Sequence, residues 1–270
     1  MLRYLGPGRI LYATGMAGLG ALCLATHDFA PQWQAVPRDI PAHAALADAC
    51  GALLLLGAAG LLLRRLAAVG AALLALFLLI LALLLGVPRV AREPLSILAW
   101  LGLFETLTTM VGAWLLYVQA AAPGPESLAA RAGSGDAIGA ARLLVGAGMV
   151  VFGLAHFAYA DFTASMIPAW LPARLPLAYF TGACHLAAGC AVLLGIWPAL
   201  AVRLEAIMMS AFIVLVHVPA VASRPADHGQ WAELFLATAL AGAMWTVAAS
   251  FGAPLGARAR EPLTPTPRPV

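Results

Sequence analysis

Long apolar runs alternate with short polar connectors from one end of the chain to the other, and the runs share nearly one length. A bilayer core about 30 Å thick is crossed by roughly 20 helical residues, since each adds about 1.5 Å. That ruler predicts eight helices, at about 9–29, 44–63, 66–87, 95–119, 139–162, 176–197, 199–221 and 230–251. The connectors are legible by their proline and polar content: PQWQAVPRDIPAH after the first run, Arg64-Arg65 after the second, PRVAREP before the fourth. AAAPGPESLAARAGSGD reads as a linker, and GARAREPLTPTPRPV, with its prolines and no apolar period, as a disordered tail.

The pattern also repeats. At one constant spacing, Arg9, Leu11, Gly15, Met16, Gly20, Asp28 and Phe29 meet Arg142, Leu144, Gly148, Met149, Gly153, Asp161 and Phe162. At a second, slightly shorter spacing, Gly51, Val87, Pro88, Trp100, Phe104 and Trp114 meet Gly182, Val218, Pro219, Trp231, Phe235 and Trp245. The spacing changes inside the first proline-rich connector, where loops accept length changes. Four helices per copy is an even number, so both copies enter the membrane in the same sense, related by a pseudo-twofold axis along its normal. The expected fold is all-α: a polytopic membrane protein of eight transmembrane helices, arranged as two parallel-repeat four-helix bundles. The units are 1–119 and 139–251, with a linker at 120–138 and the tail at 252–270. Glycines in the first helix of each unit let helices approach closely, in place of the hydrophobic drive that lipid removes.

Composition fixes the solvent. Hydrophobic residues make up 63% of the chain and charged residues 10%, against about 25% charged in soluble domains. All fifteen basic residues are arginine and the net charge is +3, with no concentrated basic face for nucleic acid. With the N-terminus inside, ten arginines fall on the cytoplasmic side and five outside; the positive-inside rule therefore places both termini in the cytoplasm of a bacterial-type inner (plasma) membrane. Arg3 before an apolar run resembles a signal peptide, yet the run is long enough to span and a second copy recurs, so it is taken as a membrane helix. Cys23, Cys50, Cys184 and Cys190 lie inside apolar segments without metal-like spacing; they read as small apolar filler, with a Cys23–Cys50 disulfide as the alternative. Signatures of soluble catalysts such as GxSxG, HExxH or a phosphate loop do not occur, so the chain reads as an accessory subunit more than an enzyme.

Three stretches of the second unit carry a resemblance: GxxHF at 153–157, MIPAWLP at 166–172 and TGACHLAAGCAVLLG at 181–195. Together they resemble the DoxX-like family of small four-helix membrane proteins, and the repeat extends the likeness over the whole chain. The resemblance implies a four-helix unit working as a membrane partner of redox enzymes, including a quinone-linked subunit tied to thiosulfate oxidation. Family members are commonly single units, and their second helix often has Glu where His185 stands, so activity tied to that carboxylate does not carry over.

Polar groups within the spans are costly and must face a partner or a cavity. His156 and His185 fall about two turns below the outer ends of the fifth and sixth helices and His217 within about a turn of that of the seventh, with Asp161 and Glu233 at the outer ends of the fifth and eighth. This predicts one outward-facing pocket. Imidazoles there can hydrogen-bond or exchange protons with a quinone, or ligate haem or a metal; equally, they can hold helices together by bonding carbonyls. In the first unit Cys23, Leu54 and Gly86 replace the three histidines. Glu105 falls about 15 Å deep beside Thr106, Thr108 and Thr109, as an intramembrane relay or a protonated cross-bundle bond. Asp48 and Glu205 read as helix-end residues, and MIPAWLP as an interfacial anchor or a lid. The resulting expectation is an accessory membrane subunit of a redox system with a quinone site in the second unit. Its partners are the lipid bilayer, a redox enzyme and a second copy of the chain. An assembly protein without ligand and a small-solute transporter with a path through Glu105 stay open.

Overall fold

Backbone amides in hydrocarbon must bond within their own segment, which leaves helices as the economical way across. The computed structural model describes residues 6–30, 33–34, 36–121 and 127–252, and among these it contains no strand. Eight helices are long and apolar enough to cross a membrane: α1 (Pro7–Thr26), α2 (His43–Leu62), α3 (Ala67–Arg92), α4 (Ile97–Ala120), α5 (Gly135–Ala158), α6 (Arg174–Leu193), α7 (Pro198–Ser223) and α8 (His228–Ser250). No helix end differs from its expected position by more than five residues. Large apolar side chains such as Leu56, Val69, Leu76, Phe180 and Val214 are exposed around the outside, as in a protein solvated by lipid. The chain is thus a multi-pass membrane protein by its helices.

Departures from expectation have local causes. α3 continues through Pro88 because a π turn at Ala82–Gly86 precedes it and loosens the bonding that the missing proline N–H would break. α7 does the same through Pro219 after a π turn at Ile213–His217. Part of the expected linker is helical: Ser127 caps a short helix at Leu128–Ala132, and Ser134 caps α5, which begins at Gly135. Beyond a break at Tyr159 the chain resumes as a short helix, Ala160–Met166, before the MIPAWLP connector. The expected tail, apart from Gly252, lies outside the described residues.

Consecutive helices pack side by side from α1 to α8; α8 then returns to lie along α1, and α4 crosses α8 in the middle. Close approaches need small residues. A Cβ at Gly20 would lie 2.7 Å from the Gly51 carbonyl oxygen, and one at Gly153 would lie 2.8 Å from that of Gly182. At the α4–α8 crossing a Cβ on Gly112 would meet that of Ala243 at 2.7 Å. Local details recur in register between the halves: the two π turns, left-handed Ala42 and Ala173 before α2 and α6, and the indole N–H bonds from Trp100 to the Pro94 carbonyl and from Trp231 to that of Pro225.

Candidate functional site

The most deeply buried acid in the molecule sits against a base. Glu205, on α7, is 1% exposed and its Oε1 lies 2.6 Å from Nδ1 of His185, on α6, also 1% exposed. Desolvating both groups is expensive, and only a shared proton makes the pair tolerable, as a neutral acid with a neutral imidazole or as an ion pair. Oε2 of Glu205 is buried with no hydrogen-bond partner among the described residues.

His156, on α5, completes the group. Its ring lies 4.8 Å from that of His185, centroid to centroid. Nδ1 is 2.9 Å from the Phe152 carbonyl; a carbonyl can only accept, so Nδ1 carries the hydrogen and Nε2 of the neutral ring is an acceptor. Neither His156 nor His185 makes a hydrogen bond through Nε2 among the described residues. Phe152 meets the His185 ring edge-on at 6.0 Å, and Phe212 stacks on His156 at 6.3 Å. Two imidazoles, one carboxylate and two phenyl rings from three helices thus enclose one spot, offering acceptors, a movable proton and aromatic faces.

His185 is eleven residues from the start of α6 and eight from its end, about 16 and 12 Å along the axis. Glu205 is seven residues into α7, about 10 Å from the end of that helix opposite His217. His156 is two residues from the end of α5, so the group runs from that end of the helix into the bundle. Not all the expected members join it. Asp161 is exposed on the short helix after α5, with no bond to the histidines. His217 is buried in the π turn of α7 but makes no hydrogen bond or ring contact with the group. Glu233 on α8 and Glu105 on α4 are both half-buried, and neither bonds the histidines among the described residues. None of the threonine hydroxyls bonds the Glu105 carboxyl: Thr106 donates to the Gly102 carbonyl and Thr109 to those of Glu105 and Thr106, while Thr108 Oγ1 has no partner among the described residues. Of the five expected members, only His156 and His185 come together.

Glu205 is the member that sequence reading passed over, because a carboxylate seven residues into a helix reads as interfacial. A signal existed: at the equivalent positions of the first half the chain has Leu54 and Leu74, both fully buried, where the second half has His185 and Glu205. Two buried leucines exchanged together for an acid and a base mark a contact.

In the connector after α1, Asp28 gathers His43 Nε2 at 2.7 Å and Arg38 at 3.2 Å. The His43 hydrogen bond chiefly holds the Asp28 carboxyl below the usual carboxylate range. This clamp ties the connector after α1 to the start of α2, a structural role. Cys23 and Cys50 are free thiols either side of Gln34, whose amide donates to Cys50 Sγ at 3.1 Å. Among the described residues, no set of three or more His, Cys, Asp or Glu side chains is arranged to hold a metal ion. In comparisons with known proteins, no family model, no curated protein and no solved structure matches the chain.

Proposed function

We propose that this chain is an accessory membrane subunit of a redox system whose second half binds a quinone head group between His156 and His185. The observation that carries the reading is the fully buried His185–Glu205 bond with a second imidazole 4.8 Å away. A quinone supplies two carbonyl acceptors and takes up protons when reduced. The chain's residues suit that chemistry: His185 can present a proton at Nε2 to a quinone carbonyl while Glu205 holds the charge at Nδ1, and the acceptor Nε2 of His156 can take a hydrogen bond from a hydroxyl of the reduced quinol. Phe152 and Phe212 keep water away, and the half-buried His156 is the edge nearest the lipid, from which an apolar ligand would enter.

The wider frame belongs to the same proposal. We take the two halves as parallel repeats of a DoxX-like four-helix unit, related by an axis near the Gly112–Ala243 crossing, in an inner membrane with both termini cytoplasmic. The local features shared in register by the two halves support the repeat, and the arginine bias supports the orientation. An assembly protein is the second reading, favoured by the enclosure of the His185–Glu205 pair, which pins α6 to α7 whether or not a ligand is bound.

The test is lipid extraction and absorption spectroscopy of the purified protein, followed by titration with a short-chain quinone in phosphatidylcholine nanodiscs. The expected result is saturable binding, weakened about tenfold or more in His156→Ala, equivalent to about 1.4 kcal/mol, at an unchanged unfolding temperature. A preparation that carries no quinone and takes none up, or a His156→Ala protein that binds normally, removes the redox reading and leaves the assembly one.

A further inference from the structure

A cavity of about 280 Å³ lies between Trp33, Gln34 and Pro37, α3 and the start of α4 in the first half, away from the histidine group. Ligand clefts begin at about 300 Å³, so it suits one head group with a short length of chain and nothing larger. It stays open at Gly102, whereas a Cβ at Gly86 would press on Leu103 Cδ1 at 2.7 Å. Gly86 and Gly102 line it, and the equivalent positions of the second half are His217 and Glu233. A Cβ added at Gly102 would meet nothing within 4 Å.

What the cavity presents is one-sided. Arg89 and Arg92 line it against a single carboxylate, Glu93, and neither arginine forms an ion pair among the described residues. The Trp33 indole N–H, in a residue of the same wall that is 6% exposed, is buried without an acceptor among the described residues. That N–H is closed off from the cavity, so the charge asymmetry rests on the two guanidinium groups, which suit an acceptor-rich partner. The neighbouring polar groups are already engaged: Gln34 accepts from the Ala30 amide at 3.1 Å and donates to Cys50, and Thr106 donates to the Gly102 carbonyl. The rest of the wall is leucine, Leu81, Leu85 and Leu103, and Leu84 beside them is 67% exposed on the outer surface of the bundle.

We propose that this cavity is a binding site for a single-chain anionic amphiphile, a carboxylate or phosphate head whose acyl chain runs along the leucines and out past Leu84 into the lipid. A free inorganic anion would gain nothing from leucine walls, and a volume of about 280 Å³ holds one head group with the start of one chain. The arginines select the charge and Gly102 leaves the room.

Full-length protein in phosphatidylcholine nanodiscs is titrated with laurate, monododecyl phosphate, dodecanol and inorganic phosphate, following the unfolding midpoint and bound mass by native mass spectrometry. Laurate and monododecyl phosphate should each bind at one site and raise the midpoint; dodecanol and inorganic phosphate should do neither. Gly102→Leu fills the space and should raise the half-saturating concentration about tenfold or more. Arg89→Gln should reduce the preference for laurate over dodecanol about tenfold. Gly102→Ala, which fits the open space, provides a milder filling variant if Gly102→Leu does not assemble. An unaltered laurate response in the filled variants overturns the cavity as the site; dodecanol matching laurate overturns charge recognition; inorganic phosphate acting alone overturns the amphiphile.

Discussion

The exchange of Leu54 and Leu74 for His185 and Glu205 defines how the two halves diverge at single residues. Glu205→Leu alone leaves His185 without its acceptor in a dry interior, and breaking a buried pair from one side costs about 3–5 kcal/mol. His185→Leu together with Glu205→Leu restores the pairing found in the first half and should bring stability back to within about 1 kcal/mol of the parent, since apolar replacements of buried pairs are often neutral. Unfolding of the single and double variants in detergent measures the coupling; simple additivity of the two losses would mean the groups do not act as one. His156 and His185 were legible as site residues because a lone imidazole in an oily run is conspicuous. Glu205 was not, because hydropathy judges a carboxylate by its distance from the helix end along its own chain, and its partner lies on another helix.

Helix ends were legible to within five residues because the thickness of a bilayer sets their length, but the contacts between helices were not. Gly20 and Gly153 read as crossing points only once Gly51 and Gly182 are seen opposite them. The same substitution should therefore have opposite signs at different glycines. Gly51→Ala forces a methyl group against the Gly20 carbonyl, at 2.7 Å, and overpacking of that kind costs about 1–3 kcal/mol. Gly139→Ala, near the start of α5 with nothing within 4 Å of the new methyl, removes glycine's backbone entropy and should stabilise by about 0.5–1 kcal/mol. Thermal unfolding of both variants decides; equal effects would mean that helix propensity and not the crossing sets the response. The π turns were likewise hidden: Pro88 reads as a stop when the preceding turn is assumed to be regular, and the run through Pro219 reads as an unbroken α-helix.

At the scale of the whole molecule the halves are joined by three seams, α1 with α8, α4 with α5, and α4 with α8. Arg142 of α5 adds an anchor, donating through Nε to Ser250 Oγ at 3.0 Å and through Nη2 to the Ser250 carbonyl, with its guanidinium 3.9 Å over the Phe251 ring. Coexpressed fragments 1–121 and 127–270 should therefore copurify as one complex, and Gly112→Leu, which pushes against Ala243, should separate them. Size-exclusion chromatography reads the outcome; fragments that never associate would contradict the shared interface. A repeating pattern was visible in the sequence through its matched tryptophans and Val-Pro pairs, but the order of packing was not, because similar apolar faces do not say which neighbour they meet. The return of α8 onto α1 also bears on biosynthesis. About 200 residues separate the end of α1 from the start of α8, which at roughly 5–20 residues per second is about 10–40 s of translation. For that interval the first helix waits in the bilayer with one flank bare to other nascent chains, and a ribosome stalled before the last helix releases a product whose earliest segment has lost its main support.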